Sequence, residues 1–75
     1  MQIKTMIPGD KGRVLSLKKD QPQFRRRLLT FGMTPGATFE ILRVAPLGDP
    51  IELRVRGSFM SIRREEADLL EVEKL

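Results

Sequence analysis

Hydrophobic and polar positions alternate most regularly at residues 51–56, where Ile51, Leu53 and Val55 are separated by charged side chains. A period of two is typical of a strand with one buried and one exposed face. Residues 59–62 predict the returning strand, after a tight turn at Arg56-Gly57 or at Gly57-Ser58. This part of the chain therefore predicts a β-hairpin.

Three further segments, residues 13–17, 38–45 and 69–73, also have the composition of short strands. In the second of these, the apolar phase slips from Phe39 and Ile41 to Leu42 and Val44, which predicts a bulge or a barrel corner. Residues 63–68 are long enough for one helical turn at most. The second half of the chain is therefore predicted to be mainly β.

One helix is predicted between the first and second strands. Phe24, Leu28 and Phe31 recur at i, i+4 and i+7 and form an apolar face. Asp20 is the expected N-cap, with Gln23 three residues later as in a capping box. Gly32 is expected just after the helix, where a left-handed residue often ends it.

Five short strands with one inserted helix, and a helical turn before the last strand, predict a small β-barrel formed by residues 1–75 as a single domain. Closing the sheet suits so short a chain, because it removes edges that invite aggregation. An SH3-like barrel and a five-stranded OB-like barrel both fit the strand count. The hairpin connections between the middle strands favour the SH3-like barrel.

Composition narrows the chemistry that the chain can perform. Among its 75 residues there is no Cys, His, Trp or Tyr. The usual ligands for zinc, copper, haem and iron–sulfur clusters are therefore missing, as are Ser-His and Cys-His nucleophiles. Catalysis and cofactor binding are not expected. No signal peptide or membrane-spanning segment is apparent, so we expect a cytoplasmic protein without direct membrane insertion.

The net charge of +4 is partly concentrated at Arg25-Arg26-Arg27 in the predicted helix. Helical geometry places Arg26 furthest from the apolar face, whereas Arg27 lies near Phe31 and is a candidate structural residue. The run is either a solvated helix face or a surface for an acidic partner. Nucleic acid is a weaker alternative, because single-strand binders expose aromatic side chains and the predicted core needs at least three of the four Phe residues.

The connection at residues 45–50 carries Leu47 between two prolines. Leu47 either folds over the end of the barrel or is presented to a protein partner at low entropic cost. The acidic residues of the last third lack the spacing of a calcium loop and predict a solvated edge. Met60 is expected in the core and Met33 at the helix end.

Several short motifs together resemble the FeoA family, ferrous iron transport protein A. They are Gly9-x-x-Gly12-x-Val14, Arg26-Arg27-Leu28, the stretch Phe31-Gly32-Met33-Thr34-Pro35-Gly36, the loop Ala45-Pro46-Leu47-Gly48-Asp49-Pro50, and Ile62-Arg63-Arg64-Glu65-Glu66-Ala67. Phe31 and Met33 stand where leucines are more usual in the family.

This resemblance implies an SH3-like barrel and a cytoplasmic accessory role in bacterial ferrous iron uptake. The implied partner is FeoB, a membrane protein with a cytosolic GTPase region, together with a third small Feo protein. We interpret the chain as an adapter or regulator without a tight iron site, since carboxylates alone hold Fe(II) poorly. The alternatives left open are stimulation of FeoB GTP turnover, nucleic-acid binding and weak self-association. The predicted contact residues are Leu47, Gly48, Asp49, Arg25, Arg26 and Met33.

Overall fold

A computed structural model describes all residues, 1–75. A 3-10 turn at Ile3–Thr5 precedes five strands and two helices. In chain order the elements are β1 (Lys11–Leu17), α1 (Pro22–Thr30), β2 (Thr38–Val44), β3 (Ile51–Val55), β4 (Ser58–Ile62), α2 (Arg64–Ala67) and β5 (Leu70–Lys74). The predicted order of strands and helices is confirmed, and the strand boundaries either coincide with the prediction or shift by one or two residues.

The five strands form one antiparallel sheet in the order β4-β3-β2-β1-β5. Hairpins join β2 to β3 and β3 to β4, whereas β1 pairs with β2 on one side and with the last strand on the other. The helix α1 is inserted between β1 and β2, and α2 connects the two outermost strands of this order. This is the mainly β, SH3-like barrel that the strand pattern predicted.

The core forms from the inward positions of all five strands, with Leu28 of α1 and Ile3 added to it. Ile51, Leu53 and Val55 are buried and their charged neighbours are not, so the predicted alternation is confirmed. Phe39 packs against Gly12, where an added Cβ would lie 2.5 Å from the ring. A side chain larger than glycine at position 12 would therefore displace a core aromatic ring.

The predicted irregularity in β2 lies between Ile41 and Arg43, where the pairing with β3 skips Leu42. A second shift lies in β1 between Val14 and Ser16. The β3–β4 turn consists of Arg56 and Gly57, with φ of 51° and 77°. Two successive positive φ angles are characteristic of a type I′ turn, whose twist matches that of the strands it joins.

The start of α1 differs from the prediction. The N-cap is Gln21, which adopts the left-handed region with φ of 52°, and no side chain caps the helix. Asp20 lies one residue too early, and therefore the predicted capping box with Gln23 does not form. Pro22 at the first helical position offsets part of this loss, because it has no N–H group to satisfy and its φ is already helical.

The end of α1 agrees with the prediction. Gly32 has φ of 101° and donates its N–H to Leu29 O, and Met33 donates to Leu28 O. These two bonds form a Schellman motif, which satisfies carbonyl groups that the helix itself cannot pair. Met33 and Leu28 are both fully buried, and a hydrophobic contact between these two positions commonly accompanies the motif.

The phenylalanines correct one expectation. Only Phe39 is fully in the core, and Phe24 packs against it partly buried. Phe31 is 44% exposed and Phe59 is 70% exposed. Phe59 alternates with the buried residues Met60 and Ile62 along β4 and therefore faces outward. The expectation that the core needs at least three phenylalanines was wrong because aliphatic side chains fill this core.

Candidate partner-binding surface

The loop between β2 and β3 is held by its own main chain. Gly48 donates to Ala45 O at 2.8 Å, and Ala45 donates to Pro50 O at 3.1 Å. Gly48 has φ of 81°, a conformation that favours glycine. Asp49 Oδ1 accepts a hydrogen bond from the backbone N–H of Arg64 at 3.3 Å, which ties the loop to the start of α2.

Leu47 stands at the tip of this loop and is 88% exposed, the most exposed of the large hydrophobic residues. Of the two alternatives for Leu47, the structure therefore shows the side chain in solvent rather than over the barrel end. The hydrogen bonds on both sides of Leu47 limit the ordering that a partner would have to impose. Such a residue can act as a small preformed apolar anchor.

A second surface lies on the solvent side of α1. Lys19, Arg25 and Arg26 line a shallow groove together with Pro22, Leu29 and Thr30. None of the three basic side chains forms an ion pair. Arg26 is exposed, whereas Arg25 is half-buried and its Nε is buried without a hydrogen-bond partner. This surface, the α1 basic groove, can accept carboxylate or phosphate groups.

Arg27, the third arginine of the run, is held by bonds to other parts of the chain and is only partly exposed. Its Nη1 donates to Glu66 Oε2 at 2.6 Å and its Nη2 donates to Ser61 O at 2.8 Å. Its guanidinium also lies 5.4 Å from the centre of the Phe31 ring, within range of a cation–π contact. The prediction that Arg27 is structural is confirmed.

Glu66 is a structural residue that the sequence interpretation missed. Glu66 is 3% exposed, and besides the Arg27 pair it accepts a hydrogen bond from the backbone N–H of Arg63 at 3.0 Å. The interpretation of the late acidic residues as a solvated edge is therefore wrong at this position. The available signal was its spacing, because a Glu three residues after a helix N-cap is the acidic half of a capping box.

Met33 is also corrected as a contact residue. Its side chain is fully buried beneath the C-terminal end of α1, so it offers no surface to a partner. The cause is the Schellman motif, which turns the chain back toward the core at this residue. The other predicted contact residues fall into two sets, the loop residues Leu47, Gly48 and Asp49 and the groove residues Arg25 and Arg26. No single groove contains both sets.

The excess positive charge lies in side chains without ionic partners. Only six of the 14 Lys and Arg residues form ion pairs. Besides the α1 basic groove, the unpaired cations include Arg63 and Arg64, and the Arg64 guanidinium lies beside Gly48 of the loop. Leu47 is thus an exposed apolar side chain next to positive charge. A complementary partner surface would be acidic and would contain an apolar depression for Leu47.

Two chemical features are absent from the arrangement. No three acidic side chains come together as a group that could hold a metal ion. None of the helices has the length and apolar character that crossing a membrane requires.

Comparison with known protein families gives a match over nearly the whole chain. The family model described as "FeoA domain" matches residues 1–74. A curated relative from Porphyromonas gingivalis, a fusion of Fe(2+) transport protein A with the Fe(2+) transporter FeoB, is 33% identical over 73 residues. The match covers 97% of this chain and 8% of that fusion protein, so the chain spans a small part of its relative.

Solved structures agree with the family match. The FeoA protein from Chlorobium tepidum is 40% identical with a TM-score of 0.90, and the alignment covers 100% of this chain and 70% of the other. Iron(II) transport protein A from Clostridium thermocellum is 37% identical with a TM-score of 0.88, over 97% of this chain and 44% of the other. At these identities the likeness extends beyond the fold to the sequence.

Proposed function

Since the chain belongs to the FeoA family, we propose that it serves ferrous iron uptake as a cytoplasmic accessory protein that docks on the cytosolic region of FeoB. The observation that carries this proposal is the fusion relative, in which an FeoA domain and FeoB share one polypeptide. A fused pair works at high effective concentration, and a separate chain needs a binding surface to reach the same proximity. A third small Feo protein is a further proposed partner.

The loop tip and the α1 basic groove are the two surfaces that we assign to this docking. Leu47 is exposed and pre-ordered, with Gly48 and Asp49 holding its position. Arg25 and Arg26 are free of intramolecular ion pairs and can meet acidic side chains without breaking an existing bond. In this proposal the apolar tip supplies most of the affinity, and the arginines supply orientation and association rate.

The test is binding to the purified cytosolic region of FeoB, measured by titration calorimetry with Leu47→Ala and Arg26→Glu. Each variant is expected to weaken binding by about tenfold or more. Ile7→Ala is the matched control for Leu47, because Ile7 is 64% exposed in another loop. Lys11→Glu repeats the charge change of Arg26→Glu at another unpaired cation. Docking through these surfaces is refuted if the control variants weaken binding as much as the test variants.

GTP turnover by FeoB, measured in the same experiment, separates docking from stimulation of the GTPase. We expect binding without an Arg26-dependent acceleration of turnover. An exposed arginine that completes a GTPase site can accelerate hydrolysis by about 10³-fold or more, so this alternative has a large signature. Acceleration that disappears in Arg26→Ala would replace the adapter role with a GTPase-stimulating one.

Nucleic-acid binding remains the weaker alternative even though two of the four phenylalanines are exposed and not in the core. Although Phe31 and Phe59 are exposed, Arg27 lies over Phe31, and the α1 basic groove contains no aromatic residue. Proteins that bind single strands combine both features in one channel. A gel shift with generic RNA that disappears with added salt would support this alternative.

A further inference from the structure

The two outermost strands of the sheet have very different free edges. On β5, Val72 donates its N–H to Met1 O, so the N-terminal segment covers part of this edge. The charged residues Glu71, Glu73 and Lys74 of β5 are each in an ion pair. Coverage and charge are two of the means by which proteins keep sheet edges from pairing with other chains.

Along most of its length, the free edge of β4 is neither covered by another segment nor protected by charged side chains. β4 contains no charged residue and no proline, and its pairing with β3 shows no bulge. The two-residue turn makes Val55 and Ser58 a hydrogen-bonded pair, so the main chains of Phe59 and Ser61 point away from β3. Arg27 confirms this direction, because it reaches Ser61 O from outside the sheet.

Arg27 covers only one of these groups. By this alternation the N–H and C=O groups of Phe59 and the N–H group of Ser61 point to the free edge, where no loop or side-chain bond reaches them. The Phe59 side chain is 70% exposed on the outer face of the same strand, beside a shallow groove that contains Leu42. Unpaired main-chain groups and an exposed aromatic residue therefore coincide at one position.

We propose that the free edge of β4 is a self-association surface, which pairs antiparallel with the same edge of a second copy of this chain around a two-fold axis at Phe59. This inference is independent of the proposed function, because it involves neither Leu47 nor the α1 basic groove. Two copies related by a two-fold axis present the same surface to each other, as is usual for homodimers.

The hydrogen-bonding pattern favours a second copy over an unrelated strand. An antiparallel pair whose two-fold axis passes through a hydrogen-bonded position needs one residue whose N–H and C=O groups are both free and point outward. Phe59 meets this requirement, whereas Ser61 does not because its C=O accepts from Arg27. With Phe59 at the axis, Ser61 lies opposite Gly57 of the second copy, where no side chain obstructs the approach.

The side chains are compatible with the same arrangement. The two Phe59 rings lie directly opposite each other on the outer face, in a cross-strand aromatic pair. No charged residue of one β4 strand opposes a like charge of the other, because residues 58–62 are uncharged. The β5 edge could not pair with itself in this way, since its exposed acidic residues would oppose each other.

One strand pair and one aromatic contact make a small interface, so we expect a weak dimer. Interfaces smaller than a standard one are typical of transient association. Sedimentation velocity from about 10 µM to about 1 mM should show a monomer that shifts progressively to a dimer. Amide exchange should slow at Phe59 and Ser61 at high concentration, while Met60, already bonded to β3, should change little.

Three variants test the interface. Phe59→Lys places a charge at the axis, and Ser61→Pro removes an outward N–H without removing a bond to β3, so each should raise the dimer dissociation constant about tenfold or more. Leu47→Lys is the matched control and should leave dimerisation unchanged. Each variant is first checked for an unchanged unfolding midpoint; if one fails this check, the other variant and the exchange data decide.

The proposal is overturned if the wild-type chain stays monomeric throughout this concentration range. The proposal is also overturned if Phe59→Lys dimerises as well as wild type while Leu47→Lys does not, because the interface would then be the loop tip. Slower exchange at residues other than Phe59 and Ser61, with no change at these two, would likewise exclude pairing through β4.

Discussion

On the side of α1 that faces α2 and β4, Arg27 is bonded to Glu66 and Ser61, and Leu28 is fully buried. On the opposite side of the same helix, their sequence neighbours Arg26 and Leu29 line an open groove without an ionic partner. Residue type alone does not distinguish the two sides. The helical rotation of about 100° per residue distinguishes them. It puts Arg27 and Leu28 on a structural side, which packs against the rest of the protein, and Arg26 and Leu29 on an available side, which faces solvent.

The largest expected effect comes from the adjacent leucines. Leu28→Ala should lower the free energy of unfolding by about 2–5 kcal/mol, because it leaves a cavity in the core and removes a contact of the Schellman motif. Leu29→Ala should cost about 1 kcal/mol or less, since Leu29 is only partly buried. Urea denaturation of the two variants measures both values. Equal losses would show that the two sides of α1 are equally structural.

The adjacent arginines give the next largest effect. Arg27→Met should lower the free energy of unfolding by about 1–3 kcal/mol, because Glu66 then remains buried without its cationic partner. Arg26→Met should change stability by about 0.5 kcal/mol or less. The double variant Arg27→Met with Glu66→Gln should recover part of the loss. If it recovers none, the contacts of the Arg27 guanidinium with the Phe31 ring and with Ser61 O are the main contribution instead.

Leu47→Ala should be nearly neutral for stability, within about 0.5 kcal/mol, because the side chain is already in solvent. Denaturation alongside Leu28→Ala checks this value. A neutral result combined with weakened FeoB binding would show that Leu47, like Arg26 on the open side of α1, serves binding and not stability. A loss comparable to that of Leu28→Ala would instead show that the loop tip packs against the barrel.

The smallest expected effect is at Asp10, away from both sides of α1. The N–H group of Ile7 donates to the Asp10 carboxylate at 3.0 Å, and this bond, with Lys74 nearby, lowers the pKa of Asp10. A lowered pKa in the folded state stabilises the protein above the unfolded pKa, and this contribution is lost as the pH falls toward the folded pKa. The stability difference between wild type and Asp10→Asn should therefore shrink under acidic conditions. Denaturation at neutral and acidic pH measures it, and a difference that grows toward acid would contradict the assignment.

The strands and the α1 end could be predicted because their signals are local. Alternation at residues 51–56 and the glycine at position 32 depend on neighbours a few residues away. The start of α1 could not be predicted in this way. Asp20 and Gln21 both lie within two residues of Pro22, and only the left-handed backbone at Gln21 decides which residue is the N-cap.

The Arg27–Glu66 pair was beyond local signals for a different reason. The two charged residues are separated by 39 positions in the sequence, and their contact depends on how α1 packs against α2. The exposure of Phe59, in contrast, had a local signal. At least three of the four phenylalanines were expected in the core, although the position of Phe59 beside Met60 places it on the outer face of β4. The alternation rule would have found it if applied to this short strand.

The position of β1 in the sheet has a consequence for biosynthesis. β1 is the first strand of this sheet to be made, yet one of its two neighbours is β5, and the Arg13–Glu73 bond between them joins residues 60 positions apart. During translation β1 can pair with β2, but its second side stays unpaired until the last strand of the sheet has been made. Non-local pairings of this kind slow folding. We therefore expect the nascent chain to stay incompletely folded, and dependent on protection of the open side of β1, until β5 has left the ribosome.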